Sequence, residues 1–360
     1  MHPSPRSTRR SRRPVIRRLD TVNTPLLYER FPSHDPDAPF FRHLPLGERP
    51  TPVGRLTGLA DGAAEVWIKD ESGFGDLWGG NKVRKLEWVI AEALARRSPT
   101  VLTFGALGTD HGLATARFAR AHGLGVALAL ADQPLDEHAR LRSEQLEACG
   151  ATIHRTRTKG RTRLSAPWLI LRHGRFVGGR FRPAYVLPPG GSSPVGMLGY
   201  VECGLEIAAQ VGAGELPEPS HVVLPVGSGG TAAGLALGLR LAGLRTRVTG
   251  VVVNDQLRAD SERIARMANK TARLLRKRTG DFRVAGPRPE DVTTTRDWLG
   301  TGYGHPTPEA ERVIRDSRTI GGPELEPVYT AKALAALRDM NARGDLGDGA
   351  VLYLHTHGPR

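Results

Sequence analysis

The side chains best placed for chemistry lie in the segment Trp78-Gly-Gly-Asn-Lys82-Val-Arg-Lys-Leu-Glu87. Two glycines followed by Asn81 set Lys82 at the start of a helical pattern, where the helix dipole disfavours a cation. That positive end, with any bound cation nearby, lowers the amine's pKa and favours the free base that Schiff-base chemistry needs. The chain holds only seven lysines. Lys85, one turn further on, and Lys69, inside a β-rich run, compete for the role, and a solvated surface lysine is the plainer alternative. A second candidate is Gly227-Ser-Gly-Gly-Thr231, which follows the apolar run Val222–Val226 and opens a helical segment. Backbone N–H groups converge at such a turn and the helix dipole adds positive character, so the loop suits a phosphate. Its glycines let an anion approach without a Cβ in the way. Gly227, Gly229 and Ala232 equally satisfy the G-x-G-x-x-A form of a dinucleotide fingerprint, with Asp255 placed for a ribose. A tight strand-to-helix turn would read the same.

Positioning these residues calls for an α/β framework. Strands are expected at Ala64–Lys69, Val101–Phe104, Val126–Ala131, Val222–Val226 and Val248–Val253. Helices are expected at Lys85–Arg97, with Asn81 as the N-cap, and at Gly112–His122, Asp136–Cys149, Val195–Gln210, Thr231–Ala242 and Asp260–Arg278. Strands alternating with helices imply largely parallel sheets. Between Ala151 and Tyr185 the pattern weakens and arginines dominate. Pro188-Pro-Gly-Gly-Ser-Ser-Pro194 is the strongest internal punctuation and marks a crossing between domains. At 360 residues the chain suits two domains around one cleft. Residues 20–86 with 195–360 form the expected large domain, 87–194 the small one, and 1–19 a basic arm.

Composition excludes several classes. Two cysteines, Cys149 and Cys203, argue against a disulfide scaffold or a zinc cluster and for a reducing compartment such as the cytoplasm. No apolar run approaches the ~20 residues of a membrane span. The formal charge of +14 invites a nucleic-acid reading, but only seven of the 51 basic side chains are lysines, a skew typical of coding bias toward arginine. Seven arginines crowd the first eighteen residues, and that arm reads as a solvated tail. It is free of acids, as transit peptides are, yet lacks the apolar stretch of a secretory signal. The stretch from Arg155 to Arg182 is basic, with Trp168, Phe176 and Phe181 interspersed. It carries no recognised nucleic-acid module, so nucleic acid is not the expected partner.

Seven motifs in order resemble one family. The chain is similar, from about Leu19 onward, to pyridoxal-phosphate enzymes of the tryptophan-synthase β-subunit fold (fold type II), and within them to the aminocyclopropane-carboxylate deaminases and D-cysteine desulfhydrases. Gly79–Glu87 is similar to its lysine motif, Gly105–Ala116 to its substrate-carboxylate loop, Gly190–Tyr200 to its linker helix and Gly227–Thr231 to its phosphate loop. Gly302–Glu309, Pro327–Thr330 and Leu354–Gly358 are similar to its C-terminal active-site segments. The resemblance implies two open, twisted, mostly parallel sheet domains with pyridoxal phosphate in the cleft between them, and a homodimer. It implies Lys82 as the Schiff-base lysine and Gly227, Ser228, Gly229, Gly230 and Thr231 around the cofactor phosphate. Asn81, Asp110, Thr330 and Thr356 follow as further cofactor contacts, and Tyr303 and Tyr329 as catalytic tyrosines. Thr109, Asp110, His111, Tyr303, Tyr329 and His357 are then the substrate contacts. Thr330 and Thr356 stand where the ring-opening deaminases carry Glu and Leu, which favours β-elimination from a D-cysteine-like amino acid over ring opening. The alternatives are a specialised enzyme of the family with a changed substrate, ring opening included, and a cofactor-binding relative without turnover.

The chain departs from the family pattern in three places. Asp110 replaces the Asn of Ser-Asn-His, His357 replaces a glycine, and the chain ends at Arg360, short of the family's usual end. A carboxylate at 110 would meet like charges in the cleft. It is expected to be protonated, to pair with His111 or His357 as imidazolium, or, the reading favoured here, to mark a changed substrate.

Overall fold

The runs richest in Val, Leu and Ile become parallel strands, and the computed structural model sorts them into two sheets. It describes residues 24–33, 40–132 and 137–358; the basic arm lies outside them. Along the chain the strands are β1 (Val53–Arg55), β2 (Glu65–Asp70), β3 (Thr100–Ala106), β4 (Gly125–Ala131), β5 (Thr152–Arg157), β6 (Arg175–Val177), β7 (Arg180–Arg182), β8 (Tyr185–Leu187), β9 (His221–Val226), β10 (Arg247–Val252), β11 (Val292–Thr295) and β12 (Ala350–His355). The helices are α1 (Leu26–Arg30), α2 (Asn81–Ala95), α3 (Asp110–Ala121), α4 (Glu137–Ala148), α5 (Lys159–Arg172), α6 (Pro194–Ala213), α7 (Gly230–Ala242), α8 (Ser261–Thr279), α9 (Pro308–Thr319) and α10 (Thr330–Ala342).

The larger sheet has the order β1-β2-β12-β9-β10-β11, all parallel except the antiparallel edge pair β1–β2. The smaller sheet, β5-β4-β3-β8, is wholly parallel. Its central strand β4 is buried over Val126–Ala131, as a strand covered on both faces must be. The expected strands and helices are all present, with ends moved by a few residues. Two differences bear on function. Helix α2 starts at Asn81, not Lys85, and the cap is Gly80 at φ 84°. Asn81 is therefore the first helical residue, and its side chain is released for tertiary contacts. The weakly patterned stretch 151–185 contains strand β5, helix α5 and the antiparallel hairpin β6–β7.

Helix α2 joins the two halves of the molecule. Val83, Leu86, Val89, Ile90 and Ala93 pack into the core of the smaller sheet, while Trp88 packs with α6 and α7 in the core of the larger. It runs unbroken through the 86/87 division. At Gly199 on α6 a Cβ would overlap the Arg84 carbonyl, so this glycine seats α2 against α6. Ser193 accepts a hydrogen bond from Gly196 N at 3.0 Å and caps α6, with Pro194 as first helical residue. Among the described residues no helix is long and apolar enough to cross a membrane.

Candidate active site

The carboxyl ends of β2, β3, β9 and β12 open toward one cleft, where parallel α/β sheets collect their ligands. Strand β2 leads through a glycine turn into α2, β3 into Thr109 and α3, β9 into the Gly227–Gly229 loop and α7, and β12 into Thr356 and His357. Gly80 must be a glycine. A Cβ there would stand 2.8 Å from Gly358 N and 2.9 Å from the Thr356 carbonyl oxygen, and its φ is positive. The same carbonyl accepts a hydrogen bond from Asn81 N at 3.3 Å, which ties the lysine turn to the end of β12.

Lys82 is half-buried. Its Nζ donates to Asn81 Oδ1 at 2.5 Å, and Asn81 Nδ2 donates to Thr231 Oγ1 at 3.3 Å. One asparagine thus links the lysine to the glycine loop, two features 150 residues apart. The competing lysines are committed elsewhere. Lys69 Nζ is buried between Glu206 Oε1 at 2.6 Å, Gln210 Oε1 at 2.7 Å and Thr51 O at 3.1 Å. Lys85 Nζ donates to Gly190 O at 2.9 Å, and burial, then the charge of Lys82, pushes its pKa well below the ordinary value.

The glycine loop meets the 188–193 turn. Ser228 Oγ and Ser192 Oγ lie 2.7 Å apart, and a Cβ on Gly190 or Gly230 would collide with one of these hydroxyls. Two serines, the glycine backbone and the first turn of α7 form a cradle shaped for a compact oxyanion. Sequence reading placed Ser228 here but missed Ser192, for which the Gly-Gly-Ser-Ser punctuation was the available signal. Asp255 does not face a ribose pocket. Its Oδ1 accepts from Tyr303 N at 3.1 Å, so it shapes the Tyr303 turn instead.

The two tyrosines meet each other. Tyr329 OH donates to Tyr303 OH at 3.0 Å with the rings edge to face. A Cβ on Gly227 would be 3.2 Å from the Tyr329 ring, so the pair stands beside the glycine loop. Burial raises both phenol pKa values, and both stay neutral at ordinary pH.

Two expectations need another reading here. His111 is buried, and burial followed by the charges of Lys82 and Lys85 pushes its pKa down to about 3. It is a neutral imidazole and cannot serve as a cation for Asp110. A cation is supplied by Arg142 on α4, whose Nε donates to Asp110 Oδ1 at 2.7 Å. No local pattern announced it. Thr330 is the second. Its hydroxyl accepts from Glu326 N at 3.0 Å and donates to Glu326 Oε1 at 3.2 Å, so its proton is already used. Glu326 also accepts from Val328, Tyr329 and Thr330 N–H groups and fixes the turn bearing Tyr329. Thr109 caps α3 through Gly112 N at 3.1 Å. Thr356 and His357 are buried at the end of β12, with the His357 ring 6.3 Å from that of His355.

Likeness to known proteins identifies the family. A family model described as "Pyridoxal-phosphate dependent enzyme" matches residues 44–357. A D-cysteine desulfhydrase of Yersinia enterocolitica is 34% identical over 88% of this chain and 94% of its own. A Pyrococcus abyssi protein provisionally named a 1-aminocyclopropane-1-carboxylate deaminase is 33% identical over 86% of this chain and 89% of its own. The crystal structure of an ACC deaminase homologue superposes with a TM-score of 0.73 at 29% identity, covering 88% of this chain and 92% of that one. On these matches and this fold, the chain belongs to the pyridoxal-phosphate-dependent enzyme family.

Proposed function

We propose that Lys82 carries pyridoxal phosphate and that the enzyme eliminates a leaving group from the β-carbon of a small D-amino acid such as D-cysteine. The carrying observation is the Lys82–Asn81–Thr231 chain of hydrogen bonds. It sets one half-buried amine against a phosphate-shaped loop while Lys69 and Lys85 are tied elsewhere. The residues fit the cofactor. The serine–glycine cradle would be filled by any Cβ, and both ring nitrogens of buried His111 lack a protein partner, as they would if a bound molecule's oxygens were to supply one. When bound, the cofactor supplies an electron sink for the charge left on the α-carbon.

The chain's own residues then divide the work. Gly227, Ser228, Gly229, Gly230 and Thr231, with Ser192, hold the phosphate by backbone N–H groups and hydroxyls. Asn81 orients Lys82 Nζ, the amine that would hold the cofactor and that is placed to accept a proton from the substrate's α-carbon. Thr356 rather than Thr330 would offer a hydroxyl to the cofactor ring, because the Thr330 proton is held by Glu326. The first-turn N–H groups of α3 beside Thr109, Asp110 and His111 receive the substrate carboxylate. Neutral Tyr303 and Tyr329 would line the leaving-group side, and His357 would be a further substrate contact. A hydroxyl rather than a carboxylate at the ring nitrogen leaves that ring less protonated, which simple β-elimination tolerates better than ring opening.

We also propose residues 20–86 with 195–360 and residues 87–194 as two domains closing on this cleft. Leu164, Trp168, Leu171 and Phe176, on and just after α5, are exposed, and covering them against a second copy supports a homodimer. Two free cysteines support a cytoplasmic setting.

Borohydride reduction of the coloured protein followed by peptide mapping is expected to place the label on Lys82, and Lys82→Ala is expected to abolish it. Label on Lys85 or Lys69 would overturn the assignment. Parallel keto-acid assays should favour D-cysteine and β-chloro-D-alanine over aminocyclopropane carboxylate. Faster product from the cyclopropane would reverse the choice of reaction.

A further inference from the structure

Asp110 stands at the first helical position of α3 with its carboxyl about one third exposed. It is close enough to Tyr303 and Tyr329 for its charge to raise both phenols further. A bare carboxylate at that corner would repel the carboxylate that every α-amino acid brings.

Helix α4 supplies the answer from 32 residues away. The Arg142 side chain is 1% exposed and is held at three points. Nε donates to Asp110 Oδ1 at 2.7 Å, a terminal nitrogen donates to Gln145 Oε1 at 2.7 Å, and the guanidinium lies 5.2 Å from the Trp78 ring centroid. Arg117 of α3 lies over the same indole at 4.9 Å. Trp78 opens the turn that delivers Lys82. A guanidinium cannot shed its charge on burial, so it needs an ionised partner, and Asp110 provides it.

We propose that Arg142 is a specificity-determining, positioning residue: it offsets the charge of Asp110, so that the acid does not repel the carboxylate of an ordinary α-amino acid. The inference rests on reading the cleft as an amino-acid site. It replaces the idea that Asp110 marks a changed substrate. The acid is the counter-ion of a buried arginine, and the pair rather than the acid sets what the corner accepts. Because Arg142 also rests on Trp78, it holds the substrate loop and the lysine turn in one register.

The test titrates four holoproteins, wild type, Arg142→Met, Asp110→Asn and the double variant, with glycine and D-alanine. Binding is followed by the change in the cofactor's absorbance, so turnover is not required. Arg142→Met is expected to weaken binding about tenfold or more. Adding Asp110→Asn is expected to restore most of that loss, and Asp110→Asn alone is expected to tighten binding. The Arg142→Met affinity should improve as pH falls and Asp110 protonates, a trend wild type lacks. Unchanged affinity in Arg142→Met, or equal weakening in the single and double variants, overturns the proposal and reduces Arg142 to packing. If Arg142→Met does not fold, Asp110→Asn decides: a tenfold loss there means that Asp110 itself holds substrate. A coloured wild type whose spectrum no amino acid moves rejects the amino-acid site itself, and the proposal with it. That result is distinguishable because it appears before any variant is compared.

Discussion

Helix α2 carries two cations two residues apart, on opposite faces, with opposite fates. On the cleft face Lys82 is half-buried and held by a neutral amide. On the rear face Arg84 is fully buried between Glu71 and Glu206. Its NH1 and NH2 reach the two Glu206 oxygens at 3.0 and 2.9 Å, and NH2 reaches Glu71 Oε1 at 2.9 Å. Lys69 completes a set of two cations and two anions. Burial opposes the charge on Glu206, but Arg84 and Lys69 outweigh it and hold that carboxyl well below the usual range. The rear face shows what permanent charge inside a protein requires, namely full pairing. The cleft face shows the reverse: Lys82 is only half-buried and its amine is held by the side-chain oxygen of a neutral amide rather than locked into a fully buried ion-pair network.

Breaking the rear face should do the most damage to folding. Arg84→Met strands Glu71 and Glu206 with only Lys69 between them and is expected to cost about 3–5 kcal/mol, read by urea unfolding. A loss under 1 kcal/mol would show that the network is far less buried in solution. The next effect is on the cleft face and depends on pH. Folded His111 titrates near 3, whereas an unfolded histidine titrates near 6.5. Between those values the unfolded chain binds the extra proton, so stability rises with pH across that window, by at most about 1.4 kcal/mol per unit. Denaturation of cofactor-free wild type and His111→Gln at a series of pH values isolates this component as their difference. A constant difference from pH 4 to 7 would mean that His111 is solvated. The smallest stability effect belongs to Lys82→Ala, expected within about 1 kcal/mol of wild type when both are cofactor-free. A larger loss would erase the contrast between the faces.

Much of this was legible from residue order. The strand at Val222–Val226 is continuous apolar sequence, and it became the buried strand β9 beside the glycine loop. Gly-Gly-Asn-Lys announced a lysine at a helix start because a turn with positive φ leaves little choice but glycine. Less was legible at 151–185, where arginines mask the periodicity that signals helix α5. The role given to Asn81 failed for a local reason. Gly80 caps α2 through its backbone geometry, which freed the Asn81 side chain to reach Lys82 and Thr231.

The sequence by itself determined the α/β class, the lysine turn, the glycine loop and the order of the family motifs, because each depends on neighbours within a few residues. Tertiary structure alone decided that Lys69 and Lys85 are tied elsewhere, since their partners come from α6 and the 188–193 turn. It also decided the charge of the substrate corner. Asp110 and Arg142 meet only when α3 and α4 pack together, and whether a carboxylate is a repulsive charge or half of a neutral pair depends on what lies within about 4 Å of it.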